Sequence, residues 1–215
     1  MVPAPRRPGV PAATSSGYLP APTSVLGHQG TRPMTVGTIT TLAGIATLVA
    51  AALVAGAALL WLAARVFAGA AALQSRLIGL LGNQSLWLAW LVVVASTIGS
   101  LYYSDGVGFE PCSLCWYQRI ALYPLLVILP VGAVTRDRFV ARYALPLTAA
   151  GAVLALYNYL VQLFPGIEVA CSTEVSCSTI DVQAFGWLTL PLMSLVAFLA
   201  VTVGILYDRA SYRAA

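Results

Sequence analysis

The sequence predicts an all-α integral membrane protein in which one additional helix precedes a four-helix bundle. Two observations predict this class. Of the 215 residues, 60% are hydrophobic and 8% are charged, whereas a soluble protein carries roughly 25% charged residues. The apolar residues also form five long runs that lack the alternation of barrel strands. A chain of this composition cannot cover a surface that faces water, which excludes soluble, disordered and coiled-coil proteins.

The five runs are the predicted transmembrane helices. Each contains about 19–27 residues, which is enough to cross a hydrocarbon core about 30 Å thick at about 1.5 Å per residue. Prolines inside several runs are compatible with this assignment, because neighbouring helices accommodate the kinks. The runs cover residues 38–64, 86–104, 111–135, 143–164 and 185–207.

The first 36 residues differ in composition from the rest of the chain. They are rich in Pro, Ala, Ser, Thr and Gly, so they have little apolar surface to offset the entropy of ordering. Because Met34 directly precedes the first apolar run, a translation start at Met34 is a further hypothesis. The predicted organisation is a disordered tail at 1–36, an additional transmembrane helix at 37–65, a cytoplasmic-side interfacial linker at 66–85, a four-helix domain at 86–208 and a cytoplasmic tail at 209–215.

The placement of arginine predicts the orientation. The segments between runs one and two, between runs three and four, and after run five contain arginine, and the positive-inside rule makes them cytoplasmic. The opposite segments, 105–110 and 165–184, contain acidic residues and no arginine. The formal charge of +4 therefore reflects membrane topology, and we expect no nucleic-acid partner.

All four cysteines fall in or beside the two predicted outer segments, where disulfides persist. Cys112 and Cys115 follow Pro111, which suits the first position of a helix. Backbone amides in the first helical turn favour a thiolate, and Arg119 lies one turn beyond Cys115 on the same face. The spacing predicts a redox-active pair whose thiol pKa is lowered by a cation.

A zinc site and two structural disulfides are other interpretations of these cysteines. Zinc would require two spans to bring the pairs together, and the single histidine lies in the tail, so no metal site is expected. Two structural disulfides remain an alternative, since a disulfide that closes the short interval between Cys171 and Cys177 would be an ordinary feature of an outer loop. Arg119 is a functional candidate because charges inside a membrane are costly, although an arginine near a helix end also extends to lipid headgroups.

The segment from Pro111 to Pro124 resembles the disulfide bond formation protein B family, including its Gram-positive relatives. The segment reads PCSLCWYQRIALYP, and the loop with Cys171 and Cys177, followed by a last span that opens FGWLTLP, supports the resemblance. The similarity covers residues 86–207. It implies a four-helix redox bundle that reoxidises a thioredoxin-like, DsbA-like dithiol oxidase outside a bacterial cytoplasmic membrane and passes electrons to the quinone pool, either ubiquinone or menaquinone.

The same resemblance assigns roles to the cysteines. Cys171 and Cys177 would meet the partner, with Cys171 forming the mixed disulfide, and electrons would reach Cys112 and Cys115 through a disulfide between Cys112 and Cys177. Cys115 would face the quinone, and Arg119 would stabilise its thiolate and the reduced quinone.

Three departures from the family pattern bear on the site. The interval between Cys171 and Cys177 is short, which affects how the partner docks. Family members often carry a histidine where this chain has Asn158, which can hydrogen-bond a quinone but cannot deliver a proton at neutral pH. The additional first helix has no assigned role.

Three further residues are candidates for the quinone pocket. Asn158 and Gln162 form a polar pair one turn apart, and they are equally well explained by a hydrogen bond between helices. Trp116 neighbours Cys115 and could flank the quinone ring. We interpret it, with Tyr117, Tyr102, Tyr103 and Trp187, mainly as part of an aromatic belt at the outer membrane boundary.

Two other functions compete with the quinone-linked oxidase. A vitamin K epoxide reductase-like enzyme also has two cysteine pairs, but in that family the loop pair precedes the Cys-x-x-Cys pair. A non-enzymatic membrane scaffold with two structural disulfides is also consistent with the sequence.

Overall fold

The computed structural model of this protein describes residues 32–82, 84–167 and 176–214. Within these ranges the chain is almost entirely helical, and a small antiparallel hairpin of β1 (Gln183–Ala184) and β2 (Leu188–Thr189) precedes the last helix. The helices are α1 (Arg32–Ala63), α2 (Ala68–Leu81), α3 (Gln84–Leu101), α4 (Ser113–Leu122), α5 (Leu125–Thr135), α6 (Val140–Leu163) and α7 (Leu190–Ala214).

Within the part of the chain that the structure describes, five helical segments are long and apolar enough to cross a membrane: 36–63, 84–106, 113–135, 140–163 and 190–213. The third combines α4 and α5, which are separated at Tyr123 and Pro124 because proline lacks the amide hydrogen that would continue the helix. The prediction of an all-α integral membrane protein is therefore confirmed.

Several boundaries differ from those predicted. Helix α1 begins at Arg32, inside the predicted tail, whereas residues 1–31 lie outside the described ranges. The predicted linker contains α2, and α7 continues through most of the predicted cytoplasmic tail. The last span begins at Leu190 rather than at residue 185, because Phe185 and Gly186 have φ values of 55° and 77°, which no right-handed helix accommodates.

Helix α7 occupies the centre of the bundle. It packs against α6, α3 and α1, while α4 lies on α6 and α5 lies on α3. The core includes Leu86, Leu125, Val140, Phe198 and Ile205, each 1% exposed or less. The short helix α2 contains no buried residue, which is consistent with its predicted place at the membrane interface.

Small residues allow the helices to approach one another, as is usual where lipid provides no hydrophobic driving force. The closest case joins α6 to α7 at Gly151. A Cβ atom at Gly151 would lie far inside van der Waals contact with Cε1 of Phe198. Because Phe198 is 1% exposed, its ring has little room to move.

We therefore expect Gly151→Val to destabilise the bundle by about 1–3 kcal/mol, as overpacking of a filled core does. Reversible unfolding in mixed micelles would measure the change. Gly56→Val in α1 is the matched control, since nothing lies within 4 Å of a Cβ at Gly56. Equal stability of the two variants would contradict the packing described here.

Candidate functional site

Cys112 and Cys115 lie at the amino end of α4. Helix α4 starts at Ser113, and Cys112 precedes it with extended backbone angles of φ −64° and ψ 166°. The helix thus begins two residues later than Pro111, where the sequence predicted its first turn. The two sulfur atoms are hydrogen-bonded at 3.1 Å, and both cysteines are free thiols.

The thiol of Cys112 is acidic. Its hydrogen bond with the Cys115 side chain is the largest of the causes that lower its pKa to about 6, and the backbone amides of Cys115 and Leu114 add to the effect. Burial of Cys112 opposes these contributions. A negative sulfur at the amino end of a helix is favoured by the exposed amides of the first turn, which is the electrostatic effect predicted from the sequence.

Asn158 on α6 contacts the inner cysteine. Its Nδ2 atom donates a hydrogen bond to Sγ of Cys115 at 3.6 Å. The side chain is 1% exposed, and its Oδ1 atom has no partner among the described residues. A fully buried amide with one unused acceptor is costly unless a ligand or water pairs with it. The structure thus places this predicted pocket residue directly at the thiol pair.

Arg119 is buried one turn below Cys115, but its hydrogen bonds run to α3. Nε donates to Oγ of Ser100 at 2.9 Å, and Nη2 donates to the carbonyl oxygen of Ser100 at 3.0 Å. Its guanidinium carbon also lies 5.1 Å from the centre of the Trp116 ring. The expected stabilisation of the Cys115 thiolate by Arg119 stays a prediction.

Cys177 lies in the same buried cluster as the thiol pair. This cluster consists of Cys112, Leu114, Val161 and Cys177, with Cys115 against it. Cys177 is 2% exposed and is disulfide-bonded. Cys171 lies outside the described residues. The structure therefore places Cys177 in the same buried cluster as Cys112, the residue with which the family resemblance implies its exchange; the exchange itself stays a prediction.

A cavity of about 340 Å³ connects these residues. Its outer part is lined by Cys112, Cys115, Cys177, Gln118, Arg119 and Asn158, and its inner part by residues of α1, α3 and α7. Two of the outer side chains, Gln118 and Asn158, are buried and each has an unpartnered polar atom, Nε2 of Gln118 and Oδ1 of Asn158. Gln162, which also lines the cavity, adds an unpartnered Oε1 acceptor. One free donor and two free acceptors beside an apolar lining indicate a ligand with a polar head group and an apolar body.

The remaining predicted residues differ in burial and in whether they line the cavity. Gln162 lines the cavity, and its Nε2 atom donates to the carbonyl oxygen of Thr179 at 3.3 Å. Trp116 is about half exposed and is not among the lining residues. Tyr117 and Trp187 are also about half exposed, as an aromatic belt requires, but Tyr103 is not part of that belt. It is 5% exposed and hydrogen-bonded to Thr40 of α1 at 2.9 Å.

Sequence reasoning missed Gln118 and Ser100. Both are polar residues within apolar spans, and this is the signal that would have identified them, because such residues are expensive in a membrane. Gln118 was overlooked because the charge of its neighbour Arg119 is the stronger signal. Ser100 was overlooked because a sequence pattern does not show the contact between α3 and α4.

Comparisons with known proteins agree with this geometry. The sequence model of the family described as "Disulfide bond formation protein DsbB" matches residues 82–207. A "Probable disulfide formation protein" of Coxiella burnetii is 43% identical over 57% of this chain and 86% of its own length. Another from Chlamydia caviae is 41% identical over 59% and 92%, and "Probable disulfide formation protein C 2" of Bacillus cereus is 38% identical over 54% and 84%. No solved structure matches the chain significantly.

The acidity of Cys112 generates a prediction. Alkylation of Cys112 by iodoacetamide in the reduced protein, followed by mass spectrometry of its peptide, should rise with pH around a midpoint near 6. In Cys115→Ala the hydrogen bond is lost, so the midpoint should move up toward the ordinary thiol value of about 8.5. Cys115→Ser is the matched control, because its hydroxyl still donates. An unchanged midpoint in Cys115→Ala would show that the sulfur contact is not the cause.

Proposed function

This chain belongs to the DsbB disulfide bond formation protein family, and on that basis we propose that it is a membrane thiol:quinone oxidoreductase. It reoxidises a thioredoxin-like, DsbA-like dithiol oxidase and passes the electrons to ubiquinone or menaquinone. The family membership supports a disulfide-forming membrane protein. The observation that carries the finer proposal is the cavity, because Cys112, Cys115 and Cys177 line its outer part while apolar helices line its inner part.

The proposed reaction begins with the disulfide of Cys171 and Cys177. A thiolate of the partner attacks one of these sulfurs, and the partner's second thiol then closes the partner's own disulfide. The partner loses two electrons and two protons, and Cys171 and Cys177 become thiols. Every step is a thiolate attack on a disulfide. The partner therefore has to reach the loop disulfide before electrons can pass to the inner cysteine pair.

The second exchange joins the two pairs. The Cys177 thiolate attacks Cys112 in an oxidised Cys112–Cys115 pair, and the sulfur–sulfur bond between Cys112 and Cys115 breaks. Cys115 then carries the negative charge, and the hydrogen bond from Asn158 supports it. Cys171 next attacks Cys177, which restores the loop disulfide and leaves Cys112 and Cys115 as the thiols that the structure displays. Placement of Cys177 and Cys112 in one buried cluster supports this order.

The side chains of the outer cavity fit a quinone. When bound, a quinone accepts two electrons and two protons as the Cys112–Cys115 disulfide re-forms. Gln118 offers its unpartnered Nε2 donor to a quinone carbonyl oxygen, and the unpartnered Oδ1 of Asn158 can accept a hydrogen bond from a hydroxyl of the reduced quinol. Arg119 is held in place by Ser100 and lines the same cavity, so its positive charge favours any negative charge that develops there.

The proposed location is the bacterial cytoplasmic membrane, with the cysteine-bearing loops on the outer side. The arginines support this orientation. Residues 136–142 contain three arginines at the end of the bundle opposite to the cysteines, and residues 105–110 and 176–189 contain none. The positive-inside rule then orients the cysteines outward, where a periplasmic or extracellular oxidase reaches them.

Quinone absorbance provides the test of this function. We expect the detergent-solubilised protein to reduce quinone when a reduced thioredoxin-like partner is added, and we expect Cys115→Ser to abolish this turnover while the thermal unfolding temperature is retained. Thr135→Ala, at the far end of the same span, is the control and should remain active.

The scaffold alternative makes the opposite prediction, namely that Cys115→Ser alters stability and that wild-type protein reduces no quinone. Absence of quinone reduction by the wild type, with the partner's thiols shown to be accessible, would refute the proposed function.

A further inference from the structure

Helix α1, like the short helix α2, lies outside the family match, which begins at residue 82. It is nevertheless fixed to the matched bundle. Helix α1 packs along α7, and the hydroxyl groups of Thr40 and Tyr103 form a buried hydrogen bond at 2.9 Å. At Gly44 the helix lies so close to the hairpin that a Cβ atom would be 2.8 Å from Cε2 of Phe185. Three separate contacts thus hold α1 in one position.

One face of α1 forms part of the cavity wall. The lining residues of α1 lie at positions 43, 46, 47 and 50, a spacing that puts them on a single helical face. Val92 and Ala95 of α3 and Val196 and Ala197 of α7 line the same inner part. None of these residues is charged, and they extend roughly 10 Å along α1 at 1.5 Å per residue.

The cavity therefore has two chemically different parts. The outer part contains Gln118 and Asn158, which are 6% and 1% exposed and whose Nε2 and Oδ1 atoms respectively have no partner among the described residues. The inner part lies between α1, α3 and α7 and is mainly apolar, although Thr47, Ser96 and Ser194 also line it. A ligand that satisfies both has a polar ring with hydrogen-bonding oxygens and a long hydrocarbon chain, because each buried methylene group adds to binding.

We infer that α1 completes a channel for the polyprenyl tail of the quinone, so that this protein holds long-tailed quinones more tightly than tail-less ones. The inference rests on the proposed function, which places the quinone ring at the thiol pair. Without α1, the groove between α3 and α7 would open to lipid on that side. With α1 in place, the tail is enclosed by protein and α1 becomes a specificity-determining element for the electron acceptor.

The test narrows the channel from the side of α1. Ala50→Phe introduces a ring into the inner part, and Ala52→Phe places the same ring on the exposed opposite face as the matched control. The first readout is the amount of lipid quinone that co-purifies with each variant, measured by extraction and chromatography. The second is the KM for ubiquinone and menaquinone against their tail-less forms, dimethoxymethylbenzoquinone and menadione.

We expect Ala50→Phe to lose most of the co-purified quinone and to raise the KM for tailed quinones on the order of tenfold, the effect of a mismatch in an apolar pocket. The KM for tail-less forms should stay within about twofold, and Ala52→Phe should behave as wild type. If Ala50→Phe fails to fold, as judged by thermal unfolding, Ala46→Leu makes a smaller change on the same face with the same expectation.

The outcomes separate the two proposals. A wild-type protein that reduces neither tailed nor tail-less quinone refutes the proposed function. A wild type that reduces both, with a folded α1-face variant (Ala50→Phe or Ala46→Leu) that affects neither or affects both equally, overturns the role of α1. Equal losses in Ala50→Phe and Ala52→Phe would also overturn it.

Discussion

The contact between the sulfur atoms of Cys112 and Cys115, at 3.1 Å, constrains the structure around it. The start of α4 fixes both sulfurs, because Cys112 directly precedes the helix and Cys115 lies in its first turn. Helix α6 then has to present Asn158 to the inner sulfur, and the loop has to carry Cys177 into the same cluster. The cavity is what remains between these elements.

Much of this arrangement could be predicted from the sequence. Hydropathy and length defined the spans, and the Cys-x-x-Cys spacing located the thiol pair, because both depend on local geometry. The contacts of Arg119 could not be predicted in the same way. Its spacing from Cys115 placed it on the correct face, but the serine that binds its guanidinium belongs to α3. Pairing between helices depends on their rotation about their own axes, and weakly periodic apolar runs do not encode it.

The contacts of helix α1 could not be predicted from the sequence either. Its sequence predicted a transmembrane helix, and composition alone left it without a role. Its attachment to the bundle is visible only through Gly44 and Thr40, which differ little from the small residues around them. Gly44 matters because the hairpin approaches it closely. Thr40 matters because it is hydrogen-bonded to Tyr103, which lies in the helical turn 102–106 that follows α3. Neither contact leaves a pattern along the chain.

The hairpin also limits how far Cys177 can travel. Gln183 is the first residue paired in β1, and the hairpin rests on α1, so residues 178–182 form the tether on that side. Fully extended, the six residue steps from Cys177 to Gln183 span at most about 22 Å. A protein that exchanges with Cys177, as proposed above, therefore has to meet its sulfur within that distance of the hairpin, because the tether ends where the hairpin rests on a membrane helix.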